Sequence, residues 1–316
     1  MSRARSVTGW FFAPVALARV AVFRLIAYLF IPIDVFVTTR WVAAHAGVPT
    51  EYYQPLLIGE WLRLPTPSTA VVDVVKWLLI GSALLAATGR APRIWGTTTF
   101  LLYFEWMVIA MSYGKVDHDR YAFLVALAVL PTVGIAQWRD QRRSEAAGFA
   151  VAVIFLAVML TYFLAAWAKI RFGGWDWVNG STLTRAVLRR GTDLSMWTLD
   201  VPGLLHVSQY LMIGFELLSP LMLLARRDRA RIALVIFLLG FHLMVFAGVR
   251  IIFLPHVVAI LFLLPWERLR RVRPWPAGTS YPGLMIEPEP SRRVSQHRHA
   301  GTARVSIPTS VRRGEP

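Results

Sequence analysis

Lysine is scarce in this chain. Of its 34 basic side chains only Lys76, Lys115 and Lys169 are lysines, and the rest are arginines. Lys169 sits near the end of the apolar run Tyr162-Phe163-Leu164-Ala165-Ala166-Trp167-Ala168-Lys169-Ile170. A guanidinium keeps its proton at any working pH, whereas an amine in a low-dielectric site can give its proton up and act as a base. Lys169 is therefore the first candidate for chemistry. The opposing reading is a lysine near a helix end that snorkels its ammonium to the interface.

Arg24, Asp34, Glu105, Glu216, His242 and His256 also fall within or beside apolar segments. Left unpaired in hydrocarbon, each charge would cost about several kcal/mol, so these groups must pair, face a polar interior or change protonation state. His118 lies in the hydrophilic turn Gly114-Lys115-Val116-Asp117-His118-Asp119-Arg120. A lone histidine there serves chemistry or merely caps a helix. His242 could equally be a core histidine bonded to a helix carbonyl, and Glu105 and Glu216 could be partners of an arginine. No His-x-x-His, Glu-x-x-His or cysteine pair stands in a register that builds a metal site, so no metal is expected. A glycine-rich phosphate loop and a Gly-x-Ser-x-Gly elbow are likewise missing.

The elements that must position these groups are hydrophobic helices. Residues of hydrophobic type make up 56% of the 316, and several apolar stretches reach bilayer length. The pattern predicts an all-α, polytopic integral membrane bundle with about eight transmembrane helices, near 15–39, 71–89, 94–113, 118–136, 147–171, 203–225, 231–248 and 250–265, the last two short. A net charge of +16 would suit nucleic acid, but the arginines cluster in short blocks between apolar runs, so the charge reads as topology and no nucleic-acid partner is expected. Arg3 and Arg5, then the blocks at 90–93, 139–143, 226–231 and 268–273, all fall on one side of such a bundle, which puts both termini in the cytoplasm. The first apolar stretch lacks a small-residue cleavage site and reads as a retained helix. Outward connectors near 40–70 and 172–202 are rich in turn formers and aromatics, and the second holds an amphipathic segment around Leu183 to Leu188. Trp175 and Trp177 there suit interfacial anchoring. The membrane domain spans 1–272, and 273–316 reads as a basic, disordered cytoplasmic tail beside anionic lipid. Without cysteine the chain holds no disulfide or thiol redox pair. Abundant arginine and alanine point to a GC-rich bacterial genome and a plasma-membrane location.

The order of these motifs resembles the membrane domain shared by vitamin K-dependent gamma-carboxylases and their bacterial relatives, the horizontally transferred transmembrane (HTTM) group, over roughly residues 15–265. The match is carried by Val22-Phe23-Arg24-Leu25-Ile26, by Val116-Asp117-His118-Asp119-Arg120-Tyr121, by the aromatic run ending in Lys169 with the following Trp175-Asp176-Trp177-Val178-Asn179-Gly180, and by Phe215-Glu216-Leu217 and Phe241-His242. The resemblance implies a carboxylase-like enzyme that couples oxygenation of a reduced vitamin K- or menaquinone-type hydroquinone to proton abstraction and carboxylation, with oxygen and carbon dioxide as co-substrates. It implies Lys169 as the base that activates the quinol, and His118 and His242 as further active-site residues. Glu216, Arg24, Glu105, Trp177 and Asn179 are then expected to support the site or bind substrate. The partners would be membrane lipid, the quinone, and a small-molecule or peptide substrate arriving from the extracytoplasmic side. Two other functions compete: a DoxX-like membrane quinone oxidoreductase, and a non-catalytic lipid- or quinone-binding protein.

Overall fold

In the computed structural model, residues 6–268 are described, and all belong to one compact unit. The basic tail expected over 273–316, the end of the arginine block at 268–273, and Arg3 and Arg5 lie outside the described residues. Twelve α-helices follow one another among the described residues: α1 (Val7–Phe11), α2 (Leu17–Ile33), α3 (Leu57–Trp61), α4 (Thr69–Ala87), α5 (Pro92–Met111), α6 (Tyr121–Val129), α7 (Glu145–Gly173), α8 (Ser181–Arg190), α9 (Asp193–Met196), α10 (Pro202–Leu218), α11 (Asp228–Val249) and α12 (Leu254–Leu261). The sole sheet among these residues is a two-residue antiparallel pairing of Val15–Ala16 (β1) with Arg143–Ser144 (β2), which ties the start of α2 to the start of α7.

Six helical stretches are long and apolar enough to cross a membrane: Leu17–Thr38, Thr69–Ala87, Pro92–Met111, Glu145–Gly173, Pro202–Leu224 and Asp228–Val249. At 1.5 Å per residue, about twenty residues match a hydrocarbon core of about 30 Å. This is an all-α bundle of the kind that suits a membrane. Leucine, isoleucine and aromatic side chains such as Leu25, Trp77, Ile236 and Leu243 stand exposed along these spans. Those faces suit acyl chains better than water.

Local chemistry explains where the helices start and stop. Ser68 and Ser144 cap α4 and α7 by accepting from Val71 and Ala147 N–H, and Pro92 and Pro202 open α5 and α10, where a missing N–H is harmless. Gly174, with φ +63°, closes α7. The core runs between α2, α4, α5, α6, α7 and α12, where Phe23 meets Phe262 at 4.2 Å and Phe123 packs edge-on against both Phe30 and Tyr103 at 5.3 Å. Gly96 lets α5 close on α2, since a Cβ there would stand 2.7 Å from the Tyr28 hydroxyl.

Two helices depart from the hydropathy reading. The seventh, expected to be short over 231–248, is a full 22 residues, because its first turn is made of Asp228, Arg229 and Arg231 and hydropathy stops where charge begins. The fourth, expected over 118–136, is α-helical only over Tyr121–Val129. It opens with a 3-10 turn at His118–Arg120 and closes with another at Leu130–Thr132, where Pro131 ends the hydrogen-bond ladder. With α12 at 8 residues, the fourth and eighth segments fall short of bilayer length.

Candidate functional site

The centre of the site is a pair between α7 and α10. Lys169 lies one turn from the end of α7, and its Nζ stands 2.6 and 2.5 Å from the two carboxylate oxygens of Glu216 on α10. The carboxylate is nearly enclosed, with 7% of its side chain exposed, whereas Lys169 keeps 24%. Trp177, in the 3-10 turn after α7, places its ring 5.1 Å from Nζ, a cation–π distance. Ala166, Val178 and Ile213, flanked by Ile170 and Leu217, form a small apolar cluster between the same elements. Water is thus kept from the back of the pair while its front stays open.

That front faces a cavity of about 650 Å³ between α5, α6 and α7, covered by Leu56 and Ile58 of the α3 segment. Its walls are Phe104, Met107, Met111, Leu124, Leu164 and other apolar side chains, and its polar lining is Asp117, His118, Arg120, Tyr121, Thr161 and Lys169. His118 stands exposed at the rim, near enough to feel the charges of both Lys169 and Glu216. Residues 51 positions apart in sequence therefore share one chamber, because α6 starts at the same end of the bundle at which α7 finishes.

His242 lies elsewhere. It is buried on α11, with Nε2 2.7 Å from the Tyr162 hydroxyl of α7. His256 of α12 completes this cluster, its ring 4.8 Å from Tyr162 and 5.4 Å from His242. Nδ1 of His242 and both ring nitrogens of His256 have no hydrogen-bond partner among the described residues, although His256 is only 2% exposed. Such groups carry a real cost, which water or a small polar ligand relieves. Phe253 stands near both histidines, with its ring 5.3 Å from His242 and 6.4 Å from His118.

The remaining expected residues are spread out. Arg24 donates to the carbonyls of Leu130, Val133 and Gly134 at the far end of α6, about 18 Å along the chain axis from His118, and so caps a helix end. Glu105 is buried on α5 with Oε1 lacking a partner among the described residues, and it does not line the cavity, although Phe104 and Met107 do. Asn179 is exposed, and its Oδ1 accepts from the Ser181 N–H at 3.0 Å and hydroxyl at 2.5 Å, which is turn chemistry at the start of α8.

One structural device escaped the sequence reading, and a second was noticed there without its partner. Gln209, fully buried on α10, donates to the Trp177 carbonyl and accepts from the Leu183 N–H at 3.1 Å, pinning the tryptophan turn and α8 to α10. Asp34 at the end of α2 accepts both contacts of Arg120 Nη1, at 2.8 and 2.9 Å, together with the Tyr103 hydroxyl at 3.1 Å and the Thr38 hydroxyl. Its signal was the lone acid in an apolar helix, but a partner 86 residues away cannot be read from spacing. Among the described residues no three His, Asp or Glu side chains gather as a metal would need. Comparison with family models, curated proteins and solved structures finds no match.

Proposed function

We propose that this protein is a membrane-embedded, carboxylase-like enzyme of the HTTM type, in which oxygenation of a reduced quinone drives proton abstraction from, and carboxylation of, a second substrate. The observation that carries the reading is that Lys169 and His118 line one apolar cavity while Glu216 holds Lys169 from behind. The cavity's volume lies in the range of small-molecule sites, and apolar walls with polar groups at one end suit a quinone head followed by a prenyl tail. When bound, a vitamin K- or menaquinone-type hydroquinone supplies the ring that reacts with oxygen, with carbon dioxide as the further co-substrate.

The chain's own residues have three tasks in this scheme. Lys169 takes the quinol hydroxyl proton at Nζ, after its own proton has passed to a Glu216 oxygen 2.5 or 2.6 Å away. His118, at the rim, orients the ring or hands a proton on through its imidazole. The apolar walls keep bulk water from the reacting atoms. His242 acts from the neighbouring Tyr162 cluster, by holding the Tyr162 hydroxyl of α7 and the Phe253 ring that stands near His118.

In this reading all eight apolar segments enter or cross a bacterial plasma membrane, with both termini cytoplasmic by the placement of the arginine blocks. The cavity then opens towards the extracytoplasmic side, where a small-molecule or peptide substrate arrives.

The test is oxygen consumption by the purified protein in lipid with a reduced menaquinone analogue, and identification of the quinone products by mass. Epoxide formation that disappears in Lys169→Ala is expected. Absence of uptake by folded, quinone-binding protein would overturn the proposal in favour of redox or binding alone.

A further inference from the structure

The arginine-rich end of the bundle, away from Lys169, holds a second cavity of about 630 Å³. Five arginines line it, Arg19, Arg143, Arg226, Arg231 and Arg268, against two carboxylates, Asp228 and Glu267, an excess of three positive charges. Both carboxylates are engaged. Glu267 accepts from Arg19 Nη2 at 2.5 Å and Nε at 2.9 Å, and Asp228 meets Arg268 and, at 3.9 Å, Arg19. Arg143 and Arg231 hydrogen-bond backbone carbonyls, of Pro14 and Ala225, which orient the guanidinium groups without neutralising them.

Two further observations point at an anion, and a third at an acyl chain beside it. The first turns of α2, α7 and α11 all border the cavity, through Arg19, Gly148 and Asp228. Each helix start carries roughly half a positive charge, and that of α11 has no side-chain cap. Arg19, whose side chain is 4% exposed, has Nη1 without a partner among the described residues. Beside the cavity, Gly148 brings the Ala13 carbonyl so close to α7 that a Cβ would sit 2.1 Å from it, and the neighbouring Phe12 ring stacks on Phe149 at 5.5 Å. The exposed Phe12 thus offers an apolar strip next to the cationic chamber.

We propose that this cavity is a phosphate-binding site, whose occupant carries its phosphate either as the headgroup of an anionic lipid or on a soluble molecule. The site is independent of the quinone reading. Its test uses the full chain in phosphatidylcholine nanodiscs, titrated with phosphatidylglycerol and followed by native mass spectrometry, with inorganic phosphate and glycerol phosphate as soluble probes. Phosphatidylglycerol should be retained in preference to phosphatidylcholine, and R143Q/R231Q should weaken retention about fivefold per arginine removed, whereas R185Q/R189Q on α8 should not. If the soluble probes bind with the same arginine dependence and displace the lipid, the site stands and its source is soluble. Should R143Q/R231Q fail to fold, phenylglyoxal modification of the wild type serves instead, with Arg143 and Arg231 protected by phosphatidylglycerol or phosphate. No preference for any phosphate probe, no protection, or equal retention by R143Q/R231Q would overturn the proposal.

Discussion

Two ion pairs join helices near the same cavity, and they are built to different plans. Asp34 and Arg120 are buried on both sides, 0% and 6% exposed, and the carboxylate also receives the hydroxyls of Tyr103 and Thr38. Around them Thr39 takes the Trp106 indole at 3.0 Å and returns a bond to the Asp34 carbonyl at 2.8 Å, so α2, α5 and α6 are fastened at one knot. Lys169 and Glu216 have one another, a tryptophan face and an open chamber. The first pair uses the cation that cannot deprotonate and gives its carboxylate two further fixed donors. The second uses the cation that can, and leaves it a free side. A buried pair whose carboxylate is held by several neighbouring donors secures a fold, while a pair with a proton to share and space in front of it can do chemistry.

This contrast can be broken at either pair, and the largest effect is expected at the knot. Asp34→Ala leaves the buried Arg120 without its carboxylate and should cost about 3–5 kcal/mol, read as loss of folded protein in detergent or a large drop in thermal stability. A drop no larger than that of a surface substitution would dissolve the distinction. Arg120→Lys keeps the charge but gives up the fork of donors that spans Asp34 and Thr38, and should cost about 1.5–3 kcal/mol by the same assay.

The smallest effect concerns a third pair, Arg19 with Glu267 at the arginine-rich end. Burial pushes the Glu267 carboxyl up, but the hydrogen bonds and charge of Arg19 outweigh it and hold the group below its usual value of 4.5. A depressed carboxylate contributes stability that is fully present above its unfolded value and is lost as pH falls through its folded value. Thermal stability measured from neutral pH downward should therefore decline below about pH 4.5, and Glu267→Gln should flatten part of that decline. An identical acid limb in the variant would remove this pair from the account.

How far the sequence could lead depended on the distance over which each signal acts. Helix existence was legible because apolar runs are local: the expected 94–113 and 71–89 meet helices at Pro92–Met111 and Thr69–Ala87. The amphipathic segment around Leu183 to Leu188 lies within α8. Helix ends were not, since charged first turns such as Asp228 to Arg231 are helical without being apolar. In the site, Lys169, His118 and Glu216 could each be picked out as ionisable groups out of place, yet their partners could not be assigned. Glu216 was weighed as a partner for an arginine and instead meets Lys169. His256 drew notice only as a polar residue in an apolar helix, and its unpartnered nitrogens become visible only once α7, α11 and α12 are packed together.

In the proposed function the Lys169–Glu216 pair serves proton transfer, whereas the Asp34–Arg120 pair serves the fold. Lys169→Arg separates the two roles, because arginine preserves the ion pair and the cation over Trp177 while removing the base. Thermal stability and quinol-dependent oxygen uptake would be measured on the same preparation. Stability within about 1 kcal/mol of wild type, as for a partly exposed pair, is expected together with a fall in uptake of about 10²–10⁴-fold. Uptake that survives in Lys169→Arg would contradict the proton-transfer role.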